Sequence, residues 1–259
     1  RDEHILKMFY GSPFFFDSLA IKNIPLITIE LTKVYRQSDE HFLEILNAIR
    51  DGDVDNIDFE QLNERYDPTF NAGEDSYVYL CSHNKIADDI NQQKLAELKV
   101  SPSVFEAKLF GDFKENQFPN EQFLELKIGA QIMFIRNDIT GEKKYFNGKL
   151  GEISALDEKE LKVVLEGSGR EITVKREVWE QKKYSLDNEK NIKEEVLGSF
   201  EQFPVKLAWA VTIHKSQGLT FDKVIIDAGK SFTAGQVYVA LSRCRTLEGI
   251  VLKSKITPE

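Results

Sequence analysis

The feature that most constrains this chain is a rhythm of strand and helix signals that breaks off and later resumes. Leu26-Ile27-Thr28-Ile29-Glu30-Leu31 reads as a buried strand. After Tyr35-Arg36-Gln37, Ser38 and Asp39 are N-cap candidates for a helix whose apolar stripe runs through Phe42, Ile45, Leu46 and Ile49, with Gly52 to close it. A second, acidic helix is expected around Phe59 to Tyr66. Tyr77 to Cys81 reads as another strand, and Ser82-His83-Asn84 offers caps for a helix carrying Ile86, Ile90 and Leu95 on one side. Strand, helix, strand, helix is the signature of a parallel sheet with covering helices.

Near Leu126 the pattern changes. Lys127 to Ile135 starts a strand, Asn147-Gly148 precedes Lys149-Leu150-Gly151-Glu152-Ile153, and short apolar runs follow at 161–165 and 171–174. Short strands separated by Gly and charged turns predict a small antiparallel barrel. The α/β rhythm returns at Val205. Val205, Leu207, Trp209, Val211 and Ile213 alternate with smaller or polar residues and read as one strand. Val224 to Ile226 is a wholly apolar strand, Ala234 to Arg243 a helix, and Ile250 to Leu252 a last strand. The expected organisation is a discontinuous α/β domain over 1–125 and 203–259, interrupted by a β-rich insert over 126–202.

Composition narrows the function. With 41% hydrophobic and 11% aromatic residues the chain can bury a core, and no apolar run is long enough for a bilayer span. Its two cysteines, Cys81 and Cys244, and four scattered histidines lack metal-ligand spacing, which predicts reduced thiols in a cytosolic or nuclear setting and no metal site. A net charge of −9 argues against an unspecific nucleic-acid binder. A motor whose basic groups line one track remains possible. Residues 126–185 carry 12 basic and 10 acidic side chains, so the insert is mildly positive within an acidic chain.

Three polar clusters bear chemistry. Thr212-Ile213-His214-Lys215-Ser216-Gln217-Gly218-Leu219-Thr220 lies between two predicted strands, where parallel sheets bind ligands. Gly218 would let backbone approach a phosphate, and Gln217 or Lys215 could hydrogen-bond to one; a solvated connection with ordinary turn residues fits the same composition. Tyr238-Val239-Ala240-Leu241-Ser242-Arg243 ends its helix on an Arg, which either complements the helix dipole or serves as a finger on a transferred phosphoryl group. In Tyr35-Arg36-Gln37 the Arg is a surface ion-pair partner or a phosphate ligand.

Taken in order, these clusters resemble the last motifs of the RecD/Pif-type superfamily-one DNA helicases. Ser82 to Asn91 is similar to that family's strand-to-helix segment beside DNA, Leu126 to Met133 with Asn147-Gly148 and Gly151 to the start of its inserted barrel, and Asp227-Ala228-Gly229-Lys230-Ser231 to a further stretch. The resemblance implies a second RecA-like domain, ATP and Mg²⁺ as cofactors held mainly by a first RecA-like domain, and single-stranded DNA and duplex junctions as partners. It implies that Arg36, Gln217, Gly218 and Arg243 face the nucleotide, with Arg243 as the arginine finger. Ser82, His83, Asn84, Thr212, His214 and Lys215 would face single-stranded DNA, with Asn147 and Lys149 on the barrel.

One element of such a motor is missing. A P-loop needs Gly five positions before the Gly of Gly-Lys-Ser, and Val224 stands five positions before Gly229, inside a strand. No Walker B acidic pair precedes the first motif either. The expectation is therefore a piece of a longer helicase without ATPase activity of its own. The rival is a non-catalytic DNA-binding or scaffold module that kept the fold.

Overall fold

The computed structural model describes residues 9–12, 14–30, 33–37, 39–73, 75–186, 192–227 and 234–258. The chain divides into two compact units, Arg1–Tyr35 and Arg36–Glu259.

The first unit holds a single-turn helix, α1 (Leu19–Lys22), whose Ser18 hydroxyl accepts the Ile21 N–H. The strand expected at 26–31 is not formed. Residues 25–30 are neither helix nor strand, and Leu26, Ile27 and Ile29 are 63%, 90% and 80% exposed. An apolar run becomes a strand only where another strand takes its N–H and C=O groups, and no described strand pairs with this one.

The second unit begins with α2 (Glu40–Asp51). Asp39 caps it by accepting the His41 and Phe42 N–H groups, and Gly52, at φ 71°, closes it in the left-handed conformation that glycine adopts without strain. Phe42, Ile45 and Leu46 are buried against the main core. The short α3 (Phe59–Asn63) follows, then β1 (Val78–Cys81) and α4 (Asn84–Glu97). The buried stripe of α4 is Ala87, Asn91 and Leu95, while Ile86 is exposed. These three positions lie four residues apart on one face. Placing Ile86 on that face was therefore incorrect.

Three short strands, β2 (Ser103–Glu106), β3 (Lys108–Gly111) and β4 (Phe123–Leu126), lead into the insert. β5 (Gln131–Phe134), β6 (Leu150–Leu156), β7 (Glu160–Leu165) and β8 (Glu171–Lys175) form an antiparallel meander. A long ribbon, β9 (Glu177–Leu186) and β10 (Ile192–Gln202), pairs with β3. Then come β11 (Val205–Leu207), β12 (Ala210–Thr212), β13 (Val224–Ile226), α5 (Ala234–Leu241) and β14 (Ile250–Leu252).

The alternating run from Val205 to Ile213 is two strands in two sheets. β11 pairs antiparallel with β5 in the order β11-β5-β6-β7-β8, and among the described residues no pairing closes this sheet into a barrel. β12 pairs parallel with β1 in the order β12-β1-β13-β14, every neighbour parallel. The chain changes sheets at Ala208–Trp209, where Gln131 Nε2 donates to the carbonyls of Ala208 (2.9 Å) and Tyr77 (3.0 Å). Other buried amides splice the same crossing. Asn120 Nδ2 donates to the Phe203 and Val205 carbonyls, and Gln202 Nε2 to that of Phe105.

Two main cores result. One packs α2, α5 and the parallel sheet, and the other fills the five-stranded sheet. The second core draws on Leu95, Phe105 and Leu124 before residue 126 and on Phe203 and Val205 after 202. Met133 and Leu150 of the meander belong to the first core, so the two are stitched along β5 and β6. No described helix is long and apolar enough to cross a membrane.

Candidate functional site

Because all four strands of the first sheet run parallel, their carboxyl ends open on one edge, the usual ligand-binding edge of such sheets. Ser82 follows β1 there, and the turn 213–218 follows β12. The turn is held from within. The Ser216 N–H donates to the Thr212 carbonyl (2.9 Å), its hydroxyl to the Ile213 carbonyl (2.7 Å), and the Leu219 N–H to the Ser216 carbonyl (2.9 Å). Ser216 is wholly buried, whereas His214, Lys215, Gln217 and Gly218 face outward. Gly218 sits at φ 82°, and a methyl group in place of its hydrogen would meet nothing within 4 Å. Its backbone is thus presented openly in a conformation other residues resist.

On one side of the turn, Ser82, His83, Asn84, Thr212, His214 and Lys215 line a single cavity of about 320 Å³. These are six of the eight residues expected on the DNA side. The other two lie elsewhere. Asn147 is exposed and binds Asn137 through its backbone, and Lys149 Nζ donates to the Glu166 carbonyl at 2.7 Å. Between them Gly148, at φ 93°, backs onto the turn, and a Cβ there would come within 2.6 Å of Leu219 Cδ2.

On the other side lie the two arginines. Arg36 Nε donates to Thr220 Oγ1 (2.8 Å) and its Nη1 to the Ser242 carbonyl (3.0 Å). Arg243 Nε donates to the Val239 carbonyl (2.9 Å) and Nη2 to Ser242 Oγ (2.8 Å), with Nη1 3.5 Å from the carbonyls of Ser216 and Leu219. Among the described residues neither guanidinium pairs with a carboxylate. Burial lowers the pKa of Arg243 to about 10, helped by the positive charge of Arg36 and opposed by Tyr238; burial likewise lowers that of Arg36. Two like charges held together without a counter-ion form a receptor for an anion such as phosphate.

Sequence patterns missed the residue that assembles this side. Gln37 is buried, and its Nε2 donates to the carbonyls of Ser242 (3.1 Å) and Cys244 (3.0 Å), pinning the chain on both sides of Arg243. Its one sequence signal is adjacency to Arg36. Residues 229–231, the Gly-Lys-Ser rejected as a P-loop, lie outside the described residues.

Residues 207–251 match the model of the UvrD-like helicase C-terminal domain. A human protein named ATP-dependent DNA helicase PIF1 is 34% identical over 249 residues, 92% of this chain and 36% of that protein. The chain is homologous to the C-terminal region of Pif1-type helicases. Unliganded Pif1 from Bacteroides superposes with a TM-score of 0.85 at 39% identity, covering 98% of this chain and 59% of that one. Bacteroides Pif1 bound to single-stranded DNA gives a TM-score of 0.68 at the same identity, over 98% of this chain and 58% of that one. The chain thus spans between about a third and three fifths of the Pif1 proteins it matches. This Pif1-type region includes both the turn and the two arginines.

Proposed function

We propose that this chain is the C-terminal half of the motor of an ATP-dependent DNA helicase moving 5′-to-3′ on single-stranded DNA toward duplex junctions. In this reading ATP lies between the chain and an N-terminal RecA-like domain. The human and Bacteroides relatives support it, one named as an ATP-dependent DNA helicase and the other solved with single-stranded DNA. The observation that carries it is the double duty of the turn 213–218, with a polar groove on one side and, on the other, two guanidiniums that no described carboxylate pairs with.

The residues present fit a phosphate group. Two guanidiniums that no described carboxylate pairs with, and the open backbone at Gly218, supply donors for an anion. When bound, ATP supplies a γ-phosphoryl group that passes to water. Arg36 and Arg243 neutralise charge on that group, with Arg243 as the finger. Its Nη1 contacts, at 3.5 Å, are at the limit of a hydrogen bond, so this end of the guanidinium is the one free to serve a phosphate while Nε and Nη2 stay anchored at 2.9 and 2.8 Å. Gln217 and Gly218 contact phosphates and report them to the turn. Ser82, His83, Asn84, Thr212, His214 and Lys215 hold the DNA strand, with Asn147 and Lys149 on its path. Mg²⁺ ligation is assigned to the N-terminal domain, as the family resemblance implies.

The test is DNA-stimulated ATP hydrolysis by the intact protein, wild type beside Arg243→Ala. The expected loss is about 10³-fold in turnover with the fold retained, the scale of an arginine finger. Unchanged turnover would reduce Arg243 to a helix-end charge, and a wild type without stimulated hydrolysis would leave a DNA-binding scaffold. The 259-residue chain alone is expected to hydrolyse ATP no faster than background.

A further inference from the structure

Beside the groove lies a second cavity, of about 210 Å³, between α4 and strands β11 and β12. It shares Thr212 and Lys215 with the groove, so the two cavities have a common wall. Its apolar lining comes from Met133, Leu207 and Val211, and its polar lining includes Asp88, Glu121 and Lys206.

Lys206 is the unusual member. The backbone of β11 fixes it opposite Met133 of β5, and its side chain is partly buried. No described residue hydrogen-bonds its ammonium or pairs with it within 4 Å. A partly desolvated ammonium without an acceptor is unfavourable in the free protein. Burial lowers its pKa, as does the neighbouring Lys215, while Glu121 and Asp88 oppose the shift. Burial likewise raises the pKa of Glu121, with Lys206 acting against it. The cavity thus presents a donor cation and two acceptor carboxylates over an apolar floor, without a protein partner that satisfies the cation.

We infer that this cavity receives one unstacked nucleobase of the single strand held in the adjoining groove, an inference that rests on the DNA-binding reading above. Lys206 donates to a ring nitrogen or keto oxygen of the base. Asp88 or Glu121 accepts from an amino or ring N–H. Bases carry both kinds of group on their edges and flat apolar faces suited to Met133 and Leu207. A phosphate fits poorly, because the same two carboxylates would repel it. The shared wall supplies the geometry. A strand with its backbone at Lys215 has a base beside the cavity mouth.

The experiment is a fluorescence-anisotropy titration of the intact protein with an oligothymidine strand carrying one abasic site, moved a position at a time. Wild type is expected to lose affinity about tenfold at one register, the scale of a single base contact, and to change little at the others. Lys206→Met, which keeps the apolar stem, is expected to weaken binding to the unmodified strand and to lose nothing further at that register. A flat scan with wild type, which needs no variant to fold, overturns the proposal while leaving DNA binding intact. So does a Lys206→Met loss that reduces the salt slope by about 0.7, since that marks a phosphate contact on a single strand. A wild type that does not bind single-stranded DNA sinks the DNA-binding reading itself, and the pocket with it.

Discussion

The two sides of the turn 213–218 grow from the same sheet edge and are built in opposite ways. On the arginine side each guanidinium is anchored to the protein by at least two hydrogen bonds, with donors left over. Arg36, Gln37 and Arg243 converge on the backbone around Ser242, and the two charges are partly withdrawn from water. On the groove side His214, Lys215 and Asn84 stand in solvent, and the contacts among the six include Ser82 Oγ to His83 Nδ1 at 2.7 Å and the Lys215 N–H to Thr212 Oγ1 at 3.4 Å. A group that must stabilise charge developing in a transition state gains from being fixed beforehand, because no reorganisation is then needed. A surface that must grip and release a moving strand gains from weak, exposed contacts. The well-bonded backbone of the turn lies between the two.

The sharpest way to break this comparison is Arg36→Ala. If the arginine side is preorganised for phosphate, turnover of the intact protein should fall by about 10²- to 10³-fold, as when one fixed donor is removed from a charged transition state. DNA affinity without nucleotide should move far less. Equal losses in both readouts would show that the two sides are not distinct.

A stability effect comes next in size. β12 is the edge strand beside β1, and its outward backbone is taken up by a side chain: the Ala210 N–H donates to Asn91 Oδ1 and Asn91 Nδ2 donates to the Ala210 carbonyl, both at 2.9 Å. Asn91 acts there as a substitute strand. Asn91→Leu keeps the volume but strands both groups in a buried site, which should cost about 1–3 kcal/mol, read as a lower urea midpoint at constant m. An unchanged midpoint would mean that the edge strand beneath the groove does not depend on this amide.

Asn91 also shows where sequence stops being legible. The stretch around it was read for its apolar residues, and a buried Asn looks like any exposed one. The same blindness hid Gln37, whose partners lie 205 and 207 residues away. Local signals did better. Asp39 and Gly52 cap α2 as their chemistry predicts, and the strands at 161–165, 171–174, 224–226 and 250–252 stand where their apolar runs fall. The alternation through 205–213 was real, yet alternation cannot say which sheet a strand joins. The ribbon of β9 and β10 gave no signal because its outer half is exposed on both faces and lined by pairs such as Lys182 with Glu194. Six of the eight residues that the resemblance assigns to DNA line one cavity at the strand ends. Asn147 and Lys149, assigned on the same resemblance, are not among the residues lining it.

A smaller effect is expected on the open side. Lys215→Ala should weaken single-stranded DNA binding and reduce the slope of log affinity against log salt by about 0.7 if one phosphate contact is lost. A weaker affinity with the slope unchanged would make Lys215 a wall of the groove rather than a phosphate ligand.

The smallest expected effect lies where the insert leans on the back of the turn. The Glu166 carbonyl accepts Lys149 Nζ, while the Glu166 carboxyl is partly buried. Burial, and then the negative charge of Asp222, raise its pKa above the usual 4.5, against the pull of Lys149 and Lys223. A carboxyl with a raised folded-state pKa binds its proton more tightly in the native than in the unfolded chain. Its contribution to stability therefore falls as pH rises from 4.5 through the folded-state pKa, and the full cost is present above that. Glu166→Gln removes the ionisable group and leaves the backbone contact to Lys149 in place. The variant should melt higher than wild type near neutral pH, and the difference should vanish once pH drops below 4.5 and both states of the wild type are protonated. A gain of the same size at both pH values would assign the effect to packing. A gain confined to neutral pH would show that holding the ionised Glu166 carboxylate partly buried beside Asp222 strains the native insert.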